Sequence, residues 1–450
     1  MIASWAFGGN ADWVREPLCI WGSLGVLISI AALLDRRAWA DGWMRPIHWF
    51  WPFLAFNGFV ILGTLNPSFR AISYEGDILY ANTGGKPGWP SSALPALALR
   101  ALWAFDAIWI ACFNIALVIR QRRALRAVLL VLVVNAIVLS VFGTVQKLSR
   151  ADGLFFDAVP SPQEYFFSSF VYHNHWGAFM VLLISASLGI IWRQARRIEA
   201  RDFFHSPIFA GVVVIVLLAA SVPLSGSRSC TLLVTMLLAG AFLDGMADVV
   251  RKRRFYNESI APPILGAIAA LVLVIAGTWF VASDTIIMRV EKTRDQVADM
   301  RTQGTVGARA VLYADTWRMA QAKPWFGWGM GSYPHVFTLF NTRESVDRLP
   351  VYYHDAHSDW LQAFAEHGIV GTALVGTCVL LPLLRMRRRH LRSAIPRYLL
   401  CGCALIGLYA WIEFPFGNFA VMLCWWLCFL TAIQYARIRD LREDSAKRNP

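Results

Sequence analysis

Four polar clusters interrupt long apolar runs in this 450-residue sequence, and each carries residue types able to do chemistry. The densest is YYHDAHSDWLQAFAEHG at 352–368, where His354, Asp355, His357 and Asp359 crowd together just before an apolar run. Three chemistries compete for it. His354 and His357, spaced i and i+3, share one face if helical and could ligate a metal. HDAH is not HExxH, however, and no third ligand is evident. The carboxylates Asp355 and Asp359 could divide acid and base roles, as in glycoside hydrolysis. A single histidine could act as general base, or orient an incoming hydroxyl, because imidazole titrates near neutrality. The plain alternative is a polar helix start capped by Ser or Asp.

The other three clusters are sparser. The turn Ser225-Gly226-Ser227-Arg228-Ser229 joins two apolar runs and is too short to float free, so Arg228 must lie at the membrane surface. A guanidinium fork there suits phosphate oxygens, or it reaches lipid headgroups. Arg309 begins an amphipathic stretch, VGARAVLYADTWRMAQA at 306–322, and could be an ordinary solvated charge. His173-Asn174-His175-Trp176-Gly177 opens another apolar run and by itself implies only a polar interface.

The elements that position these clusters are membrane spans. Hydrophobic residues make up 57% of the chain and charged residues 16%, well below the charge content of ordinary soluble proteins. Apolar runs of span length fall at about 17–34, 46–65, 98–119, 127–146, 170–192, 207–224, 230–248, 260–282, 366–384, 396–413 and 418–435. The expected fold is therefore all-α: a polytopic membrane protein with about 11 transmembrane helices in one domain, 1–450. The N-terminus, MIASWAFGGNADWVREP, lacks a basic stretch before its first apolar run, so a retained helix is expected rather than a cleaved signal.

The net charge of +13 does not point to nucleic acid. Most of the Lys and Arg fall at every second break, including Arg120 to Arg126, Arg193 to Arg201, Arg251 to Arg254 and Arg385 to Arg397. The positive-inside rule puts these in the cytoplasm, with the N-terminus outside and the C-terminus inside. The polar clusters then share the outer face, together with a large extracytoplasmic loop at 283–365 before the third-last helix. Within that loop, 306–322 has helical spacing with Val311, Ala314 and Met319 to one side, and Pro324 ends it. The Gly-rich WFGWGMGSYP follows. Trp317, Trp325, Trp328, Tyr333, Tyr352, Tyr353 and Trp360 could stack on sugar rings, while many other Trp sit at span ends as interfacial anchors to membrane lipid. All eight Cys lie in or beside apolar runs, so no disulfide framework is expected.

From about 130 to 380 the sequence resembles the O-antigen ligase / polysaccharide polymerase family of bacterial membrane proteins. The resemblance rests on FGTVQK near 142–147, YHNHWGAF, the SGSRS turn, GARAVLYADTWRMAQAKPWFGWGMGSY and AHSDWLQAFAEHGIVG. It implies a GT-C-like scaffold and an inverting, metal-independent glycosyltransferase without a cofactor, at the periplasmic face of the inner membrane. The implied donor is a glycan on undecaprenyl diphosphate and the acceptor a hydroxyl of a lipid or glycan. Arg228 and Arg309 would hold the diphosphate, His357 would activate or orient the acceptor, and Asn174 would support the site. The family's Asn after the histidine is Ser358 here, so either Ser358 replaces its hydrogen bond or Asp355 or Asp359 orients His357. Ligation to lipid A-core and polysaccharide chain growth share this donor chemistry. A non-catalytic transporter of polyprenyl-linked glycan is a third possibility. It would be expected to place ionisable residues in mid-span, whereas the polar residues gather at one surface, with little besides Glu413 near a span end.

Overall fold

The computed structural model describes residues 1–75, 77–163, 165–195, 207–261, 264–266, 268–269, 272, 276, 308–343 and 352–448. Among them, nine helices are long and apolar enough to cross a membrane. These are α1 (Asp12–Leu34), α2 (Arg45–Thr64), α3 (Pro95–Val118), α4 (Arg122–Leu148), α5 (His173–Ala195), α6 (Pro207–Leu224), α7 (Arg228–Phe255), α9 (Asp359–Leu383) and the Phe419–Leu441 part of α11 (Phe419–Arg448). The shorter apolar α10 (Ala394–Tyr409) matches the span expected at 396–413. Most of the span expected at 260–282, and much of the 283–365 loop, lies outside the described residues. The chain is a polytopic helical membrane protein.

Two features depart from the sequence reading. The 66–97 break holds an antiparallel hairpin, β1 (Phe69–Tyr74) and β2 (Asp77–Asn82), paired from Phe69–Asn82 to Tyr74–Asp77, so the chain is nearly rather than wholly α. Asp106 lies midway along α3, where Asn57 of α2 donates a hydrogen bond to its carboxylate at 3.0 Å. An ionisable side chain does therefore sit in mid-span.

At the centre are α5 and α11, which are buried along most of their length. A buried helix can carry such a uniformly apolar surface because packing, not water, covers it. Small residues allow the close approach. A Cβ on Gly402 of α10 would lie 2.2 Å from Ser185 Oγ of α5, and one on Gly177 of α5 would lie 2.4 Å from Cys230 Cβ of α7.

The two ends of the helices differ in chemistry. At one end the arginines are drawn into contacts between helices: Arg397 with Asp244, Arg122 Nε with the Tyr435 carbonyl at 3.0 Å, and Arg437 Nη1 with the Ala116 carbonyl at 2.9 Å. At the other end lie the N-termini of α5, α7 and α9 and the turn 410–418, which together carry the polar clusters.

Over that end lies α8 (Ala308–Ala322), close to the expected helix and followed by Pro324. Its inner face is Leu312, Asp315, Thr316, Met319 and Ala320, while Ala314 is exposed. Asp315 and Thr316 tolerate burial because they are satisfied there: Asp315 accepts from the Thr342 amide at 2.8 Å, and Thr316 bonds Tyr333 Oη at 2.8 Å. Trp328 and Tyr333 are buried with this face in a second small core, whereas Trp317 and Trp325 remain exposed.

Candidate functional site

The Gly-rich loop fixes how α8 meets α9. Gly327, Gly329 and Gly331 all have positive φ, and α9 itself breaks at Gly368 with φ 62°. The loop pairs with that break through Trp328 N to Ala365 O at 3.0 Å, Gly329 N to Glu366 O at 2.8 Å and Ile369 N to Pro324 O at 2.8 Å. The buried Glu366 carboxylate closes the joint, accepting from the amides of Gly331 and Tyr333, both at 3.0 Å. A Cβ at Gly327 would come within 2.4 Å of the Glu366 backbone, so no other residue fits there without a shift.

The start of α9 is in turn laced to the turn between α10 and α11. Asp359 N donates to the Glu413 carbonyl at 3.2 Å, and Phe416 N donates to Asp359 Oδ2 at 2.8 Å. Ser358 caps α9, its Oγ accepting from Leu361 N at 3.3 Å. Asp355 is partly buried beside this turn, and burial raises its pKa while the neighbouring His357 and His354 lower it, with a net rise. His357 has φ 50°, a left-handed conformation uncommon for any residue but glycine.

These constraints converge on the side chain of Glu413, which is 1% exposed. Its Oε1 is paired with the guanidinium of Arg309 and accepts from Asn174 Nδ2 at 3.0 Å. Its Oε2 lies 3.4 Å from His357 Nδ1. Tyr172 Oη reaches both oxygens at 3.3 and 3.4 Å and accepts from Asn174 Nδ2 at 2.8 Å. Behind Asn174, Ser227 Oγ donates to Asn174 Oδ1 at 2.6 Å, which ties the SGSRS turn into the cluster. Phe414 fills the space between the rings, stacked on Tyr172 and edge-on to His357 at 4.8 Å.

The electrostatics follow from this packing. Burial alone would raise the Glu413 pKa, but the hydrogen bond from His357 and the charge of Arg309 outweigh it and the net shift is downward. Glu413 is thus an ionised carboxylate at neutral pH. Burial alone would lower the pKa of Arg309, but the Glu413 carboxylate raises it further. Tyr172 is pushed up by burial and by Glu413, which keeps it a neutral donor. With Nδ1 turned to a carboxylate, Nε2 of His357 is the ring nitrogen not engaged by Glu413, on a side chain that is 30% exposed.

Arg309, His357 and Asn174, singled out in the sequence, therefore meet through one shared carboxylate. Arg228 is exposed at the first position of α7, one residue from Ser227. The carboxylate within reach of His357 belongs to Glu413, whereas Ser358 and Asp359 hold the backbone that carries it. Sequence reasoning did not assign Glu413, Tyr172 or Ser227. Glu413 had a detectable signal as an acidic residue in the otherwise apolar AWIEFPFG. Among the described residues, no group of three His, Cys, Asp or Glu side chains is arranged to hold a metal ion.

Residues 213–376 match a family model described as O-antigen ligase, while no curated protein matches the chain. The matched segment holds Arg228, Arg309 and His357, and it leaves Tyr172, Asn174 and Glu413 outside. The match supports an O-antigen ligase- and polymerase-related family. Together with the apolar helices, it indicates a multi-pass protein of the bacterial inner membrane.

Proposed function

We propose that this O-antigen ligase-related protein is a glycosyltransferase that moves a glycan from undecaprenyl diphosphate to a hydroxyl of a lipid or glycan acceptor. The observation that carries the reading is the convergence of Arg309, His357 and Asn174, from three separate segments, on the buried carboxylate of Glu413.

In the proposed reaction, the acceptor hydroxyl lies against His357 Nε2. Glu413 holds the imidazole with its proton on Nδ1, so Nε2 is the basic nitrogen. The acceptor oxygen attacks the anomeric carbon from the face opposite the diphosphate, and its proton passes to Nε2. The bond from that carbon to the diphosphate oxygen breaks with inversion, and undecaprenyl diphosphate leaves carrying the electron pair. Charge grows on the leaving diphosphate in the transition state, where prepositioned cations act most strongly. Arg309 uses one edge of its fork on Glu413 and the Ile412 carbonyl, with its side chain 51% exposed for a ligand. Arg228 supplies a second guanidinium from the start of α7. The positive-inside rule supports a periplasmic location for this end of the helices.

The test is transfer by purified protein given a polyprenyl-diphosphate glycan and candidate acceptors, with and without chelator. H357A and R309A are each expected to abolish most transfer, and EDTA to leave it unchanged. Normal turnover by H357A would remove that residue from the chemistry, and loss of activity in EDTA would overturn the metal-free mechanism. Lipid A-core against a second glycan repeat as acceptor separates ligation from chain growth.

A further inference from the structure

The backbone of His357 is left-handed at φ 50°, and its carbonyl accepts a hydrogen bond from a side chain of α8. Tyr313 Oη donates to the His357 carbonyl at 2.9 Å and lies 3.4 Å from the Ile412 carbonyl. Tyr313 stands four residues after Arg309 on α8, so the two share a face of the helix. Arg309 Nη1 reaches the same Ile412 carbonyl at 3.3 Å. A single phenol on the helix that carries Arg309 thus meets the backbone of His357 and of the residue before Glu413, two of the segments that build the cluster.

We propose that Tyr313 is a positioning residue, whose hydroxyl holds His357 in its left-handed conformation and thereby keeps Nδ1 on Glu413. The role rests on the glycosyltransferase reading above. Tyr313 touches none of the reacting atoms, and its effect passes through His357. A strained backbone persists only where its surroundings over-determine it, and here the hydrogen bond to its carbonyl is part of that determination. Without it, His357 relaxes toward an ordinary φ and carries the imidazole away from Glu413. A displacement of about 1 Å at a catalytic group costs on the order of 100-fold in rate.

The test uses full-length Y313F beside wild-type protein, assayed for transfer from a polyprenyl-diphosphate glycan. The expected result is a fall in kcat of about 10- to 100-fold, with KM for the donor within about twofold and the melting temperature unchanged. In an H357A background, Y313F should cause no further loss, because two residues acting as one unit are not additive. Wild-type transfer with an equally active Y313F would overturn the positioning role alone. A loss that appears in KM, or that follows a drop in melting temperature, would also overturn it, as would full additivity with H357A. No transfer by wild-type protein would overturn the glycosyltransferase reading and this role with it.

Discussion

Replacing Glu413 by Gln removes one charge and almost no volume, so it isolates what the carboxylate does. The amide of E413Q can still accept from Asn174 through its carbonyl oxygen. Toward His357 it would present an amide N–H where a carboxylate oxygen stood, at 3.4 Å from Nδ1. Two donors cannot face each other, so the ring proton moves to Nε2, and in the proposed reaction that nitrogen could no longer take a proton from the acceptor. A positioned general base is worth roughly 10²- to 10⁴-fold, and kcat of E413Q should fall by that much. Folding should change little. The Arg309 partner is 51% exposed, so the lost ion pair is screened and worth at most about 1 kcal/mol. The pH dependence has a definite sign. Glu413 is held below its ordinary value of 4.5 in the folded protein, so its contribution to stability is present above about that pH and is lost as pH falls through the folded pKa. Wild-type protein should therefore lose melting temperature below about pH 4.5 more steeply than E413Q. Initial rates of transfer and melting curves in detergent measure both. An E413Q enzyme within a few-fold of wild type would refute the tautomer argument. A variant inactive only because it melts would refute the claim that the carboxylate acts in the site.

Three further outcomes follow from the geometry. R309K keeps the charge but loses the fork, and should lower kcat/KM by roughly 10- to 100-fold with part of the loss in donor KM, since a bidentate site does not accept lysine; full activity would count against diphosphate contact. G327A puts a methyl 2.4 Å from the Glu366 backbone at a residue with φ 68°, and should destabilise by about 1–3 kcal/mol or more, visible as a lower melting temperature. Lys323 bonds Ser68 and Ser91 at 2.8 and 2.9 Å, and burial lowers its pKa to about 8. The unfolded chain then holds more protons than the folded one above that pH, so the melting temperature of wild type relative to K323Q should rise from about pH 8 to about 10. A flat difference would show that Lys323 is not desolvated.

The described spans were legible because a helix that crosses a bilayer must stay apolar over its whole length, and the basic breaks marked one end of the bundle. The candidate site was legible only in part. His357, Arg309 and Arg228 stand in short motifs whose residue types suggest their chemistry. Glu413 has no such frame: it is one acid in an apolar turn, and its meaning comes from partners 239, 104 and 56 residues away. No local pattern encodes contacts of that length. The hairpin at 69–82 was hidden differently, since its strands are six residues each inside a break that reads as loop. Asp106 was plain in the sequence, but its hydrogen-bond partner among the described residues, Asn57, is 49 residues away on another helix.

In the proposed reaction, the shared carboxylate also constrains how the donor would bind. Before the donor arrives, Glu413 neutralises Arg309, so the cluster presents less positive charge to a diphosphate than its arginines suggest. At an effective dielectric of about 20, charges in contact interact by about 4 kcal/mol. The half-exposure of Arg309 reduces what remains to about 1 kcal/mol. Removing the Glu413 charge frees that much attraction for the ligand, so E413Q should bind the donor more tightly while turning it over more slowly. The expected signature is a donor KM lowered by up to about fivefold alongside the fall in kcat. If Arg309 instead served only to hold Glu413 in place, E413Q would leave donor KM unchanged or raise it. Donor KM in E413Q therefore distinguishes a guanidinium that meets the diphosphate from one that only organises the base.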